Sequence, residues 1–285
     1  MTTQHFPDLD LRSFTATRDA LHAYTRVLGD WTKSCRPKRK HWWHASLRPS
    51  LNGLTTGAIH AGIDFELELN LREGLLLART SSGEQLKETL RGQPATMFAE
   101  EIQEFLIASG VDGSLIPEVG HHDTNEFLGY SFEHADRVAG ALNSVAASME
   151  SFRAGIREET SPIQLWPHHF DVSMLWLPGE KIPGQDPEEE ESADKQMNFG
   201  FTFGDDGIPE PYFYVTAYPL PDAFPGLQLP AGTRWHSEGF SGAVLRYSSV
   251  IKHSDPEGYL LDLWGGLLSA GREHMLENTS QGHMP

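Results

Sequence analysis

One stretch of the chain, residues 63–69, alternates strictly between apolar and polar side chains. Its sequence is Ile-Asp-Phe-Glu-Leu-Glu-Leu. Successive side chains of a β-strand point to opposite faces, so this pattern predicts a strand with one face in a core and the other towards solvent. Half-buried strands of this kind are typical of antiparallel sheets, whereas strands of parallel sheets are apolar almost throughout. The stretch therefore indicates an antiparallel sheet in the first half of the chain.

Segments with helical periodicity surround this strand and recur later. Apolar residues return at spacings of three and four in residues 17–34, 94–109, 132–158 and 256–273. Further strands are predicted at residues 41–47, 75–80, 163–177, 198–204, 211–218 and 240–250. The order helix–strands–helix thus occurs twice, which predicts an α+β fold of largely antiparallel sheets flanked by helices, with an internal pseudo-repeat.

This order also predicts how the chain is divided. We expect an irregular lead-in at residues 1–13, a first α+β half at 14–112, a connector at 113–130, a second α+β half at 131–277 and a flexible tail at 278–285. The connector contains a His-His-Asp run at residues 121–123, which could supply ligands or be a solvated loop.

The net charge limits the classes of partner that the chain is expected to bind. The net charge is −18, from 40 acidic and 22 basic residues. Such a field repels phosphate backbones, so we expect neither nucleic acid nor a membrane surface as partner. The basic run at residues 36–40 is either a solvated loop or a local anion hook, and the acidic run at 188–191 indicates a mobile excursion.

No apolar run approaches the roughly 20 residues that span a bilayer, and the first residues lack the pattern of a signal peptide. Cys35 is the single cysteine, which excludes an intrachain disulfide and fits a reducing compartment. We therefore expect a cytoplasmic protein. A reactive Cys35 would need a lowered pKa, and packing at a helix end is the alternative.

Two short motifs combine tryptophan with histidine. Residues 41–44 read His-Trp-Trp-His, and residues 166–171 read Trp-Pro-His-His-Phe-Asp. If each motif opens a strand, Trp42 and His44 share one face, as do Trp166 and His168. Paired halves would then bring His44 and His168 together in one pocket.

These motifs and the aromatic strands provide candidates for a small-molecule site. The catalytic candidates are His168, Asp171 and Tyr212, and the metal ligands are His44, His168 and His169. The binding candidates are Trp42, Trp43, Trp166, Phe201, Glu210 and Tyr214. Histidines with a carboxylate suit a divalent metal, Zn or Fe. The metal-free alternative is acid–base chemistry by a histidine, with Tyr212 or Tyr214 as proton donor.

Three blocks taken together resemble a known bacterial family. They are the first Trp/His motif leading to Gly53-Leu54-Thr55-Thr56, Ser161-Pro162 leading to His168-His169-Phe170-Asp171, and Asn198-Phe199-Gly200-Phe201 leading to Glu210-Pro211-Tyr212-Phe213-Tyr214 and Tyr218-Pro219. The chain is similar to the family known as domain of unknown function 5996. The resemblance implies kinship of fold and carries no activity with it.

The sequence favours an enzyme that acts on a small organic molecule in a His/aromatic pocket, with metal assistance as one option. It contains no His-Glu-x-x-His, phosphate-loop or Gly-x-Ser-x-Gly motif. The alternatives are a non-catalytic binding protein for a small ligand, and an interaction module whose acidic run at 188–191 docks on a basic partner. In each alternative the histidines could instead be structural, with backbone carbonyls as partners.

Overall fold

The structure is a computed structural model that describes residues 6–9, 11–118 and 126–276. The chain divides into two compact units. The first consists of Met1–Ala147 with Ile163–Val172, and the second of Ser148–Pro162 with Ser173–Pro285. The His-His-Asp run at residues 121–123 and the predicted tail at 278–285 lie outside the described residues.

The described residues form helices and strands in alternating groups. The α-helices are α1 (Leu11–Cys35), α2 (Ala95–Ser109), α3 (Phe132–Arg153), α4 (Glu190–Ala193), α5 (Tyr247–Val250) and α6 (Pro256–Met275). The strands are β1 (Arg48–Ser50), β2 (Gly53–Thr55), β3 (Ile59–Ala61), β4 (Ile63–Asn70), β5 (Leu75–Thr80), β6 (Gln85–Thr89), β7 (Glu159–Thr160), β8 (Gln164–Trp166), β9 (Asp171–Leu177), β10 (Gln196–Thr202), β11 (Tyr212–Tyr218), β12 (Thr233–His236) and β13 (Gly242–Arg246). Short 3-10 helices lie at Lys40–Ala45, Gly113–Leu115 and Phe224–Gly226.

The sheet of the first unit is antiparallel, with strand order β1-β2-β4-β5-β6 and β3 also paired to β4. The alternating stretch lies in β4, where Phe65, Leu67 and Leu69 are buried. The ring of Phe65 meets Trp31 of α1 edge-on, with centroids 5.6 Å apart. The apolar face of the predicted strand is confirmed and packs on α1. The polar face is only partly solvated, because Asp64 is exposed whereas Glu68 is buried and pairs with Arg79 at 2.7 Å.

Helix α1 follows its predicted apolar stripe and begins earlier than predicted. The stripe is buried at Ala20, Leu21, Tyr24, Val27, Leu28 and Trp31. Upstream of residue 17 it continues through Phe14, which is buried as well. The helix begins at Leu11, and Phe14 extends the buried face upstream of the predicted start.

The second unit contains a sheet of order β12-β13-β11-β10-β9-β7. Its pairs β10–β11, β11–β13, β12–β13 and β7–β9 are antiparallel. Phe199 and Phe213 lie on the buried face, and Trp264 of α6 packs against Phe213 at 6.1 Å between centroids. Both units thus have helices packed on antiparallel sheet, and the predicted α+β class is confirmed.

The strand predictions at the two Trp/His motifs are wrong. Residues 40–45 form a 3-10 helix, and residues 167–170 form a turn between β8 and β9. Pro167 cannot donate a ladder hydrogen bond, and the carbonyl of Trp166 instead accepts from the backbone N–H of Phe170 at 2.8 Å. The side chains of each motif therefore do not alternate between two faces as a strand would require.

Candidate functional site

The two Trp/His motifs lie side by side in the first unit. An antiparallel bridge joins Leu47 to Leu165, with N···O distances of 3.0 and 2.9 Å. Beside it, the hydroxyl of Ser46 donates to Oε1 of Gln164 at 2.8 Å. The motifs are thus adjacent through one bridge, although neither is a strand.

Both motifs contain strained backbone. Among the described residues, the non-glycine positions with positive φ are His41 at 48°, Trp42 at 57° and Phe170 at 54°. A side chain in this left-handed region costs about 1–2 kcal/mol. Such residues persist where surrounding structure determines the conformation, and they cluster at functional sites. Their restriction to the two motifs makes this region the candidate site.

Helix α1 holds the second motif in place. Gly29 is buried against Pro167, so closely that a Cβ at this glycine would lie 2.6 Å from the proline Cγ. Nε2 of His22 donates to the carbonyl of His168 at 3.2 Å, and its ring stacks on Phe170 with centroids 5.7 Å apart. Contacts at both ends of the turn therefore fix it on the helix.

His168 projects from this turn and is exposed. Its ring lies 4.2 Å from that of His169 and 6.0 Å from Trp166, between centroids. Enough protein surrounds it that desolvation lowers the pKa of His168 to about 4, and electrostatic interactions with His169, His22 and Lys33 act in the same direction. Its imidazole is therefore neutral near pH 7 and can accept a proton.

His44 is buried in the first motif and stacks on Trp42 at 5.5 Å between centroids. Its Nδ1 accepts from the backbone N–H of Arg39 at 3.2 Å, so the neutral ring carries its proton on Nε2. Desolvation lowers the pKa of His44, and four neighbouring cations add to this effect: Lys38, Lys33, Arg36 and Arg39. Lys33 therefore acts on the pKa of both His44 and His168.

Cationic side chains lie over the rings of both tryptophans of the first motif. Lys33 and Lys38 lie 5.9 and 5.6 Å from the ring centroid of Trp42. Arg39 and Lys40 lie 5.9 and 5.0 Å from that of Trp43. The local field at this part of the site is positive, opposite in sign to the net charge of the chain.

The remaining candidates of the second motif lie close by in sequence. His169 is exposed, and Asp171 is buried as the first residue of β9. Among the described residues, which include the predicted ligands His44, His168 and His169, no group of three or more His, Cys, Asp and Glu side chains could hold a metal ion.

Tyr212 and Glu210 belong to the second unit. The hydroxyl of Tyr212 donates to Oδ2 of Asp205, whose Oδ1 accepts from the backbone N–H groups of the turn at residues 207–208. Glu210 forms an ion pair with Arg246 at 2.9 Å. Both side chains therefore have local partners within that unit.

Phe201 and Tyr214 also lie in the second unit, on opposite faces of its sheet. Phe201 is fully buried and packs on Phe213 at 4.9 Å between centroids. Tyr214 covers Gly200, where a Cβ would lie 2.1 Å from the phenol ring. The predicted residues thus divide into a first-unit set built on the Trp/His motifs and a second-unit set built on β10 and β11.

Cys35 ends helix α1, with its thiol 3.5 Å from the carbonyl of Leu115. Desolvation raises its pKa to about 11, against the opposing charge of Arg36. These contacts favour packing over reactivity at this position.

Sequence reasoning missed His22, Gly29 and Lys33 of α1. A compositional signal was available for the cations. From Trp31 to Ile63 the sequence contains no acidic residue, although Asp and Glu number 40 in the chain.

No helix in the described part of the chain is both long and apolar enough to cross a membrane. The fold and motif geometry define an α+β protein in which strained Trp/His motifs lie together in the first unit. A family model described as a family of unknown function (DUF5996) matches residues 6–274, so the chain belongs to this family, as the three sequence blocks indicated. No curated protein and no solved structure matches the chain.

Proposed function

We propose that the chain is an enzyme acting on a small organic molecule, with His168 as the proton acceptor. The observation that carries this proposal is the exposed imidazole on a strained turn that α1 holds from two sides. A general base must be fixed within reach of its proton and must be in its unprotonated form. Before any ligand binds, the imidazole of His168 is unprotonated near pH 7 and its turn is fixed by α1.

Aromatic rings next to the base supply apolar contact for an organic substrate. Trp166 is half-buried beside His168, and Trp42 is 41% exposed beside His44. A mostly apolar surface with a few fixed polar groups is the usual form of a small-molecule site. Trp43, His44 and His169 complete the first-unit set that we assign to binding.

No step of the proposed reaction uses a metal, and zinc and iron are tested only as additions to the assay. Asp171 and the second-unit candidates are less well supported as functional residues. Tyr212 and Glu210 already have partners in their own unit, and Phe201 and Tyr214 pack in its sheet. We also propose a cytoplasmic location, which the single cysteine supports.

The test is a ligand screen followed by a turnover assay. Thermal shifts would be recorded for a panel of carboxylates, phosphate esters, amines, sugars and nucleosides, with and without added zinc or ferrous iron. Each stabilising compound would then be incubated with protein and followed by mass spectrometry. The test variant is His168→Gln, and the matched control is His60→Gln, an exposed histidine of β3 in the same unit.

We expect a stabilising compound to be converted by the wild type and by His60→Gln, while His168→Gln still binds it and converts it at least about tenfold more slowly. Full activity of His168→Gln would overturn the role of this residue. Binding without conversion in every condition would overturn the enzyme proposal in favour of a non-catalytic binding protein.

A further inference from the structure

The first unit contains a surface on which cationic side chains are concentrated. We call it the cationic surface and define it by Lys33, Arg36, Lys38, Arg39, Lys40 and Arg48, with the rings of Trp42 and Trp43. All of these residues lie in the acid-free stretch from Trp31 to Ile63. Because the chain as a whole has a net charge of −18, this concentration of positive charge is a local feature.

Two guanidinium groups converge at Gly57. A Cβ on this glycine would lie 3.7 Å from Nη1 of Arg48 and 3.8 Å from Nη2 of Arg36. Arg36 is fixed there, because it donates to the carbonyls of Thr56 and Ala58. Among the described residues, neither arginine forms an ion pair with a carboxylate. Desolvation lowers the pKa of Arg36, and the charges of Arg48 and Arg39 lower it further.

Lys33, Lys38, Arg39 and Lys40 lie over the rings of Trp42 and Trp43. Cation–π contacts with Trp42 and Trp43 hold all four at 5.0–5.9 Å from a ring centroid. Such contacts orient a cation without neutralising its charge. Like charges placed together in this way repel one another, and a bound anion would relieve that repulsion.

We propose that the cationic surface binds a small organic anion, a carboxylate or a phosphate ester, with its charged group at the Arg36 and Arg48 guanidinium groups. Planar guanidinium groups bind both anions through paired, charge-assisted hydrogen bonds. The indole of Trp42 lies on the same surface, and its exposed part offers apolar contact to the organic part. The inference rests on the proposed function, because it names the substrate class for His168.

The cationic surface is electrostatically connected to His168. Lys33 is part of the surface, and its charge lowers the pKa of His168. A bound anion would oppose that charge and so act to raise the pKa of His168, whose main cause of lowering is desolvation.

A polyanion such as single-stranded nucleic acid is the rival ligand, since cations interleaved with aromatic rings can also bind such strands. The net charge of −18 argues against it, because a long polyanion would extend beyond this one stretch into a repulsive field. A small anion needs only the local charge.

Titration calorimetry at low ionic strength tests the inference, because salt screens exposed charges. The probes are phenyl phosphate, benzoate, inorganic phosphate, benzylamine, benzyl alcohol and a single-stranded oligonucleotide. Phenyl phosphate and benzoate distinguish the two anionic groups, and inorganic phosphate shows what the ring adds. The variants are Arg48→Gln and Lys38→Gln, both of exposed residues, and the control is Lys87→Gln on exposed β6 of the same unit.

We expect at least one aromatic anion to bind and benzylamine and benzyl alcohol not to bind. Arg48→Gln should weaken the binding about tenfold, and Lys87→Gln should change it by less than about twofold. Equal binding of benzylamine, or unchanged affinity in Arg48→Gln, would overturn the inference. So would binding of the oligonucleotide in the absence of any binding of the small anions.

The two proposals can fail separately. Anion binding that depends on Arg48, without conversion of any compound, would sustain this inference and overturn the enzymatic one. Conversion of a neutral or cationic compound that depends on His168 would do the reverse.

Discussion

Gly29→Ala tests whether the fit between α1 and the Pro167 turn holds the candidate site together. The new Cβ would lie 2.6 Å from Cγ and 2.7 Å from Cβ of Pro167, whereas carbon atoms in contact lie about 3.5–4.0 Å apart. The proline ring is part of the backbone and cannot rotate away, so the turn must move by about 1 Å.

Two opposing effects set the magnitude. Alanine in place of glycine within a helix stabilises it by about 1 kcal/mol. Overpacking of a close contact costs about 1–3 kcal/mol. We therefore expect Gly29→Ala to lower the free energy of unfolding by about 1 kcal/mol, despite its better helix propensity. Gly265→Ala in α6 is the matched control, because that glycine is exposed and no atom lies within 4 Å of its added Cβ.

The assay combines urea unfolding, followed by circular dichroism, with an NMR titration of His168. Gly265→Ala should stabilise the protein by about 1 kcal/mol, so the two variants should differ in sign. A displaced turn would weaken the hydrogen bond from His22 and reduce the desolvation of His168, so the pKa of His168 should rise from about 4 towards 6.5. A Gly29→Ala variant as stable as Gly265→Ala, with the pKa of His168 unchanged, would refute this reasoning.

Three further predictions concern the stability of the chain, and urea unfolding measures each of them. Glu158→Gln should cost about 1–2 kcal/mol after solvent screening, because Glu158 accepts two bonds from Arg272 at 2.7 and 2.6 Å. That pairing lowers the pKa of Glu158 from 4.5 to about 2, so the wild type loses this stabilisation as the pH falls through that range and the variant does not. Trp42→Gly should be more stable than Trp42→Ala by about 1 kcal/mol, because φ is positive there. Asp255→Ala should cost about 1 kcal/mol, since Asp255 caps α6 by accepting from the backbone N–H of Gly258 at 3.0 Å.

Matched variants serve as controls for the Glu158 and Asp255 predictions. Glu150→Gln removes a more exposed carboxylate from a pair with Arg153 and should change stability little. A Glu158→Gln variant with the wild-type dependence on acid would show that the ion pair is not responsible. Alanine more stable than glycine at position 42 would contradict the positive φ. Asp255→Asn should retain the cap.

The regular elements could be predicted because their patterns depend on local burial. The alternation in β4 and the stripe of α1 each place an apolar side chain wherever one face meets the core. Two of the differences between predicted and observed element ends depend on single residues. Phe14 continues the stripe of α1 past the predicted start, and Tyr247 begins α5 within the predicted strand at 240–250.

The conformation of the Trp/His motifs could not be predicted from composition, because tryptophan and phenylalanine fit strands well in general. Their conformation depends on residues distant in sequence. Pro167 meets Gly29, and the carbonyl of His168 meets His22, more than a hundred positions away. The proline was the one local warning, since it removes a backbone donor.

The cationic surface was partly visible in the sequence. The run at 36–40 was recognised as basic, and an anion hook was one of its two interpretations. The convergence of Arg48 with Arg36 depends on the turn at Gly57, which joins β2 to β3 and has φ of 64°. Sequence alone could not show which cations converge, because this depends on the path of the loop between β2 and β3.

Helix α1 explains why the strained turn, His168 and the cations near Trp42 occur together. His22, Gly29 and Lys33 are spaced by seven and four positions, so they lie along one face of the helix. This face is distinct from the buried stripe through Tyr24, Leu28 and Trp31. The first two residues fix the His168 turn, and the third contacts Trp42 and acts on the pKa of both His44 and His168. One helix thus packs the core on one side and positions the candidate site on the other, so a change that moves this face of α1 should alter the base and the anion site together.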